Sequence, residues 1–240
     1  MHVRNAYNFV RLGSLTLALW SVELAVAQTY PAFVRKDIHL TGHFDPAGPW
    51  SSGAHLGSRA GVVTGDFNRD GRPDLAISSL AGLSVLLNIG AGNFDVHYHP
   101  NSPSCGPGPL VTADFNRDGN PDLFMTCDFS GQILLGRGDG AFSAVLGGVP
   151  GCTSAAVGDF NNDGTPDLAC NDPGDTSLRV QLGNGDGRFK SGISIQQGPS
   201  QPSQISVADF NHDGKHDLAA RYGEFEAPSG HNVLLFLGKG

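Results

Sequence analysis

Read only as apolar and polar positions, the chain repeats one figure four times. An apolar run (Val62-Val63, Leu110-Val111, Ala155 to Val157, Ile205 to Val207) enters a polar stretch, and a second run leaves it at Leu75, Leu123, Leu168 and Leu218. A third run follows, Leu83 to Leu87, Ile133 to Leu135, Leu178 to Leu182 and Val233 to Leu237. Short runs bounded by turn residues predict strands rather than helices, and the polar stretch with its two flanking runs predicts a hairpin. In three repeats the third run ends in a glycine-rich turn closed by Phe94, Phe142 or Phe189. Glycine supplies the positive φ a tight turn demands, and the closing Phe opens a fourth strand.

The polar stretches begin at Asp66, Asp114, Asp159 and Asp209, spaced by 48, 45 and 50 residues. That period is about the length of a four-stranded propeller blade. The pattern therefore predicts an all-β fold, a β-propeller of four-stranded blades with four blades. The fourth repeat reaches Gly238-Lys239-Gly240 with neither the closing Phe nor a last strand. The segment Phe33 to Leu40 has a Phe followed by apolar residues spaced by two, and it is expected to complete the last blade. Closing the ring in that way removes exposed sheet edges. Between them, Thr41 to Ala60 is the one unrepeated connection; it holds Trp50 and is the first place to look for individual function.

The polar stretches carry the chemistry. Each reads Asp-Phe-Asn-x-Asp-Gly-x-x-Asp-Leu, with acidic or amide side chains at positions 1, 3, 5 and 9. Oxygen ligands at such spacing are how a short loop wraps a hard cation such as calcium. Asp and Asn also make ordinary turns, but four turns with one ligand series favour metal binding. An EF-hand would need a bidentate Glu at position 12, where this chain has Ile77, Met125, Cys170 and Ala220.

This motif, followed by Leu-Gly-x-Gly-Asp-Gly-x-Phe at the same period, resembles the FG-GAP or VCBS repeat family, whose propellers are best known from the integrin alpha head. The resemblance spans about residues 33 to 240. It implies up to four Ca2+ ions in loops 66–74, 114–122, 159–167 and 209–217. The first would be held by Asp66, Asn68, Asp70, the carbonyl of Arg72, and Asp74. The second would use Asp114, Asn116, Asp118, the carbonyl of Asn120, and Asp122. The third would use Asp159, Asn161, Asp163, the carbonyl of Thr165, and Asp167; the fourth Asp209, Asn211, Asp213, the carbonyl of Lys215, and Asp217. The metal reads as a structural clamp. Pro73, Pro121 and Pro166 stiffen position 8, whereas His216 replaces Pro in the fourth loop and marks it as the weakest site. Propellers of this family usually have seven blades, so a four-bladed ring, part of a larger propeller, and two chains sharing a larger ring all stay open.

Charge and cysteines place the protein. The twelve loop aspartates outweigh the chain's net −8, so the acidity sits in the loops, and no basic stripe exists to meet a nucleic acid. Residues 1–27 carry Arg4 and Arg11, an apolar run to about Val26, and Ala25-Val26-Ala27, which reads as a signal peptide leaving 28–240 as the propeller. The run is shorter than the roughly 20 apolar residues a spanning helix needs. Localisation is therefore expected to be secreted, extracellular or periplasmic. An even count of cysteines in an exported chain favours disulfides; three pairings are possible, and repeat position favours Cys105 with Cys127 and Cys152 with Cys170.

Other features read as structure. Arg137-Gly138-Asp139 spells a tripeptide that integrins recognise, but it occupies the turn position of Asn184-Gly185-Asp186. His97 and His99 share a strand face and are too few for a metal; Trp50, Tyr98 and Tyr222 are single aromatics. No nucleophile or metalloprotease motif appears, so no catalytic residue and no organic cofactor is assigned. The sequence predicts a secreted calcium-binding propeller acting as a binding or adhesion module for a protein or glycan. The alternative is a secreted polysaccharide-active hydrolase or lyase.

Overall fold

The computed structural model describes residues 11–12, 15–16, 61–79, 82–99, 108–126, 130–145, 149–150, 154–171, 177–190, 192–197, 202–222 and 233–240. The chain divides into two units, Met1–Asp37 and Ile38–Gly240. In the first, β1 (Arg11–Leu12) pairs antiparallel with β2 (Leu15–Thr16). Every other described strand belongs to the second.

That unit is an all-β, four-bladed propeller, with no helix among the described residues. Blade 1 pairs β3 (Val62–Gly65), β4 (Asp74–Ser79), β5 (Gly82–Gly90) and β6 (Asn93–His99) in that order. Blade 2 pairs β7 (Leu110–Ala113), β8 (Asp122–Thr126), β9 (Ser130–Gly136) and β10 (Phe142–Ala144), with β11 (Val149–Pro150) also on β9. Blade 3 pairs β12 (Ala155–Gly158), β13 (Asp167–Asn171), β14 (Ser177–Gln181) and β15 (Ile193–Gln197). Blade 4 shows β16 (Pro202–Ala208), β17 (Asp217–Tyr222) and β18 (Val233–Phe236). The strand expected at Phe33 to Leu40, the connection Thr41 to Ala60 with Trp50, and Cys105, Cys127 and Cys152 lie outside the described residues. Cys170, buried on β13, is disulfide-bonded, and the pairing expected for it involves a partner outside them.

The core lies between blades rather than within them, because a lone sheet has nothing to cover its two faces. The first strands line up, β3 against β7, β7 against β12 and β12 against β16. Strand β8 shows how the sequence serves two interfaces at once. Its successive side chains point to opposite faces, so Leu123 and Met125 join blade 1's Phe67, Leu83, Val85 and Leu87. Phe124, between them, joins blade 3's Leu168 and Cys170. All five residues of β8 are buried, which is why the second run of each repeat lacks a polar alternation. The third cluster joins Leu178 and Val180 of blade 3 to Leu218, Ala220 and Tyr222 of blade 4. Three of the four residues at position 12, Met125, Cys170 and Ala220, thus fill interblade cores.

Candidate metal centre

The four Asp-rich loops have one backbone. Position 4 is left-handed in each although it is never glycine (Arg69 φ 61°, Arg117 φ 60°, Asn162 φ 56°, His212 φ 60°), and the glycine at position 6 lies between 78° and 83°. A left-handed non-glycine residue costs of order 1 kcal/mol or more and persists only where its surroundings enforce it. Here the enforcement comes from the aspartate at position 1. In all four loops its Oδ1 accepts the N–H of position 5 and its Oδ2 that of the position-6 glycine, at 2.8–3.1 Å. The Asn at position 3 accepts from the same position-5 N–H and donates its Nδ2 to the position-5 carboxylate. That carboxylate in turn accepts the N–H of position 7. Side chains 1, 3 and 5 are therefore gathered at the exposed tip of each hairpin.

Position 9 has a different environment. Asp74, Asp122, Asp167 and Asp217 are buried. In each, Oδ2 accepts the N–H of the Phe at position 2. Oδ1 accepts the N–H of Asn88, Gly136, Gly183 or Gly238, at the end of the third strand or just beyond it. The last aspartate of the motif is thus a latch from loop to third strand, fixed at both oxygens.

The electrostatics divide along the same line. At position 5, hydrogen bonding outweighs desolvation. Desolvation pushes the Asp70 carboxyl up, but the Asn68 amide, the Arg72 N–H and the Arg72 guanidinium hold it below its ordinary value. The Asn161 amide, then the Thr165 N–H, hold Asp163 low. At position 9, desolvation pushes Asp122 up to about 6 against three backbone N–H groups, and it raises Asp167 as well.

The donor set is oxygen only, and most of its oxygens accept one hydrogen and keep a lone pair, which fits a hard cation such as calcium; Asp70 Oδ2 and Asp122 Oδ2 each accept two. Among the described residues no three Asp, Glu, His or Cys side chains already converge as a cage. In the first loop Arg72 Nη2 lies 2.7 Å from Asp70 Oδ2 and supplies positive charge there.

The structure brings in groups that reading the loops alone did not. The N–H of Gly140, in the turn of blade 2, donates to the carbonyl of Phe67 at 2.9 Å; Gly187 of blade 3 does the same to Phe115 at 3.1 Å. The closing Phe of each turn packs edge-on against the same loop residue, Phe142 on Phe67 at 5.6 Å and Phe189 on Phe115 at 5.7 Å. Blade 4 shows no such Phe, and His216 takes its place. Its ring stands edge-on to Phe160 at 6.5 Å, and its Nδ1 accepts the Asp159 N–H at 2.8 Å. The departure from Pro at position 8 is therefore an interblade contact. The signal was present in the sequence as a nearly constant offset between Asp-Phe and the Gly-x-Phe one repeat later, Phe67 to Phe142 and Phe115 to Phe189.

The remaining candidates separate. Arg137 donates to Ser143 and Asp139 accepts the Ala141 N–H, so both residues brace their own turn. His97 is exposed and sits 3.2 Å from Asp95, while His99 packs edge-on against Phe142; no third ligand joins them among the described residues. The Tyr98 side chain lies outside the described residues. Tyr222 is buried between blades 3 and 4, away from any ligand role at the surface. No described helix is long and apolar enough to cross a membrane.

Comparison with known proteins agrees with this construction. No curated protein sequence matches the chain. Among solved structures, a lectin of Agrocybe aegerita, described as specifically recognising non-reducing terminal N-acetylglucosamine, overlays with a TM-score of 0.54 at 18% identity. The overlay covers 71% of this chain and 49% of the lectin, so this chain spans about half the length of that relative, and the likeness is one of fold. The FG-GAP-like repeat model matches residues 114–170 and 159–220, which bracket the second, third and fourth loops, so this stretch is similar to FG-GAP-like repeats, and the first loop is built on the same backbone.

Proposed function

We propose that this chain is an exported, calcium-loaded propeller that binds a glycan or a protein through the loops between its strands. The observation that carries the reading is the fourfold cluster of oxygen donors at positions 1, 3 and 5, held on one backbone at exposed hairpin tips. In the first loop Asp66, Asn68, Asp70, the Arg72 carbonyl and Asp74 would hold the ion, and the same positions would do so in the other three. The bound ion would neutralise clustered carboxylates and stiffen the hairpin. The protein's own part is already built: position 1 fixes the loop and position 9 ties it to the blade.

FG-GAP-like propellers are typically non-catalytic binding folds, and the solved lectin makes terminal N-acetylglucosamine the first probe to try. The test presents the purified protein, in calcium and in chelator, to an array of glycans that includes that sugar, and assays polysaccharides for new reducing ends. Retention of a glycan without cleavage supports the reading. Release of reducing ends would overturn it in favour of a hydrolase or lyase.

A further inference from the structure

The interface between successive blades is used three times, and the first two uses share one chemistry. The trailing face of one blade offers the loop Phe, the second and third apolar positions of the third strand, and a leucine just after them. The leading face of the next blade offers a left-handed glycine, a closing Phe and the buried residues of its second strand. Gly140 shows the fit: at φ 84° it donates to the Phe67 carbonyl, and a Cβ there would lie 2.9 Å from Leu87. Gly187, at φ 79°, meets Phe115 and Leu135 in the same way.

Blade 4 presents the same trailing face with no described residue against it. Phe210 is 45% exposed, against 2% for Phe67 and 1% for Phe115. By strand register Leu235 corresponds to Val85, Ile133 and Val180. It is 52% exposed where those are at most 7%. Val233, on the same face of β18, and Leu237, just beyond it, are likewise more than half exposed, while Leu234 and Phe236 pack against blade 3. Blade 1 presents the complementary face. Val62, the counterpart of buried Leu110 and Ile205, is 58% exposed, and Leu75 and Ile77 are only half-buried where Leu123 and Met125 are fully buried. Gly92 and Phe94 stand where Gly140 and Phe142 stand, and Gly92 already has the left-handed conformation, φ 70°.

We propose that blade 4 of one chain receives blade 1 of a second copy of this chain, head to tail, so that two copies continue the blade-to-blade interface. Continuity with the first two internal interfaces identifies the occupant: by their pattern the exposed face takes a left-handed glycine donor, a Phe and an apolar second strand, and blade 1 carries all three. Such a contact joins two different surfaces, so it either closes into a ring or propagates.

The test is the mass of the full chain in solution by light scattering and sedimentation. The expected result is twice the mass of one chain, falling to one chain in Leu235→Asp and, separately, in Val62→Asp, with unchanged circular dichroism. Mixing the two variants should restore the double mass, because each keeps the face the other lacks. A wild-type chain that stays single at all concentrations overturns the proposal, including the case in which its own N-terminal segment covers Phe210. So does a pair that survives Val62→Asp, which would be a face-to-face dimer. If either variant fails to fold, Phe210→Ser and Thr64→Asp probe the same two faces.

Discussion

The first and fourth loops have the same motif, the same backbone and the same hydrogen bonds, yet Phe67 is buried and Phe210 is not. Nothing within the ten residues accounts for that. Phe67 is covered by Phe142 and bonded by Gly140, both from the next blade; no described residue does this for Phe210. The comparison teaches that a blade is a half-interface, as in other repeat proteins, where neighbour contacts carry much of the stability. The loop can shape itself locally, but its hydrophobic residue is worth something only when a neighbour arrives.

The widest break in the comparison comes from metal. If each loop binds calcium, an ion at about ten times its Kd adds about 1.4 kcal/mol per loop. Chelation should therefore lower the melting temperature of the whole propeller and calcium restore it; insensitivity to both would remove the metal. Next is the buried phenylalanine itself. Phe115→Ala, which also strips Phe189 of its partner, should cost about 3–5 kcal/mol in urea unfolding.

Asp122→Asn should come third. The amide keeps one acceptor oxygen, whereas both carboxylate oxygens are used by backbone N–H groups, and stranding one buried N–H costs about 1–3 kcal/mol. The same side chain sets a pH dependence. Its folded value, about 6, lies above the unfolded value near 3.8, so the folded state holds its proton more tightly. Its contribution to stability is complete below the unfolded value and is lost as pH rises through about 6. In chelator, the urea midpoint should fall from pH 4 to pH 7, and Asp122→Asn should flatten that slope. A midpoint that rises over this window, with no change in the variant, would contradict the assignment. The smallest effect belongs to Phe210→Ala, below about 1 kcal/mol in dilute single chains, because a surface change away from any packed feature usually stays within about half that. A cost near that of Phe115→Ala would mean that its neighbour is already in place.

Much of this was legible in the residues. The period, the strand runs and the Asp-Phe-Asn-x-Asp-Gly loops named the blades because both signals are local: alternation needs two residues, and a left-handed turn needs ten. The double burial of β8 was only half legible, since a run with no polar member says that both faces are covered but not by what. The latch role of Asp74, Asp122, Asp167 and Asp217 was not legible, because their partners lie fourteen to twenty-one residues away on the third strand. His216 read as the replacement of Pro that marks the weakest site, and its contact to Asp159 and Phe160 was not legible, because both lie one repeat earlier.

The sequence by itself determined the repeat: how many hairpins there are, where each turns, and which oxygen donors crowd each tip. These follow from dihedral preference and side-chain chemistry within a few residues. Tertiary structure alone decided which copies of an identical motif are finished. Burial is a property of what stands opposite, and the sheet that covers each blade is supplied by the next repeat, so four equal stretches of sequence yield, among the described residues, three covered interfaces and two exposed faces, one on blade 4 and one on blade 1.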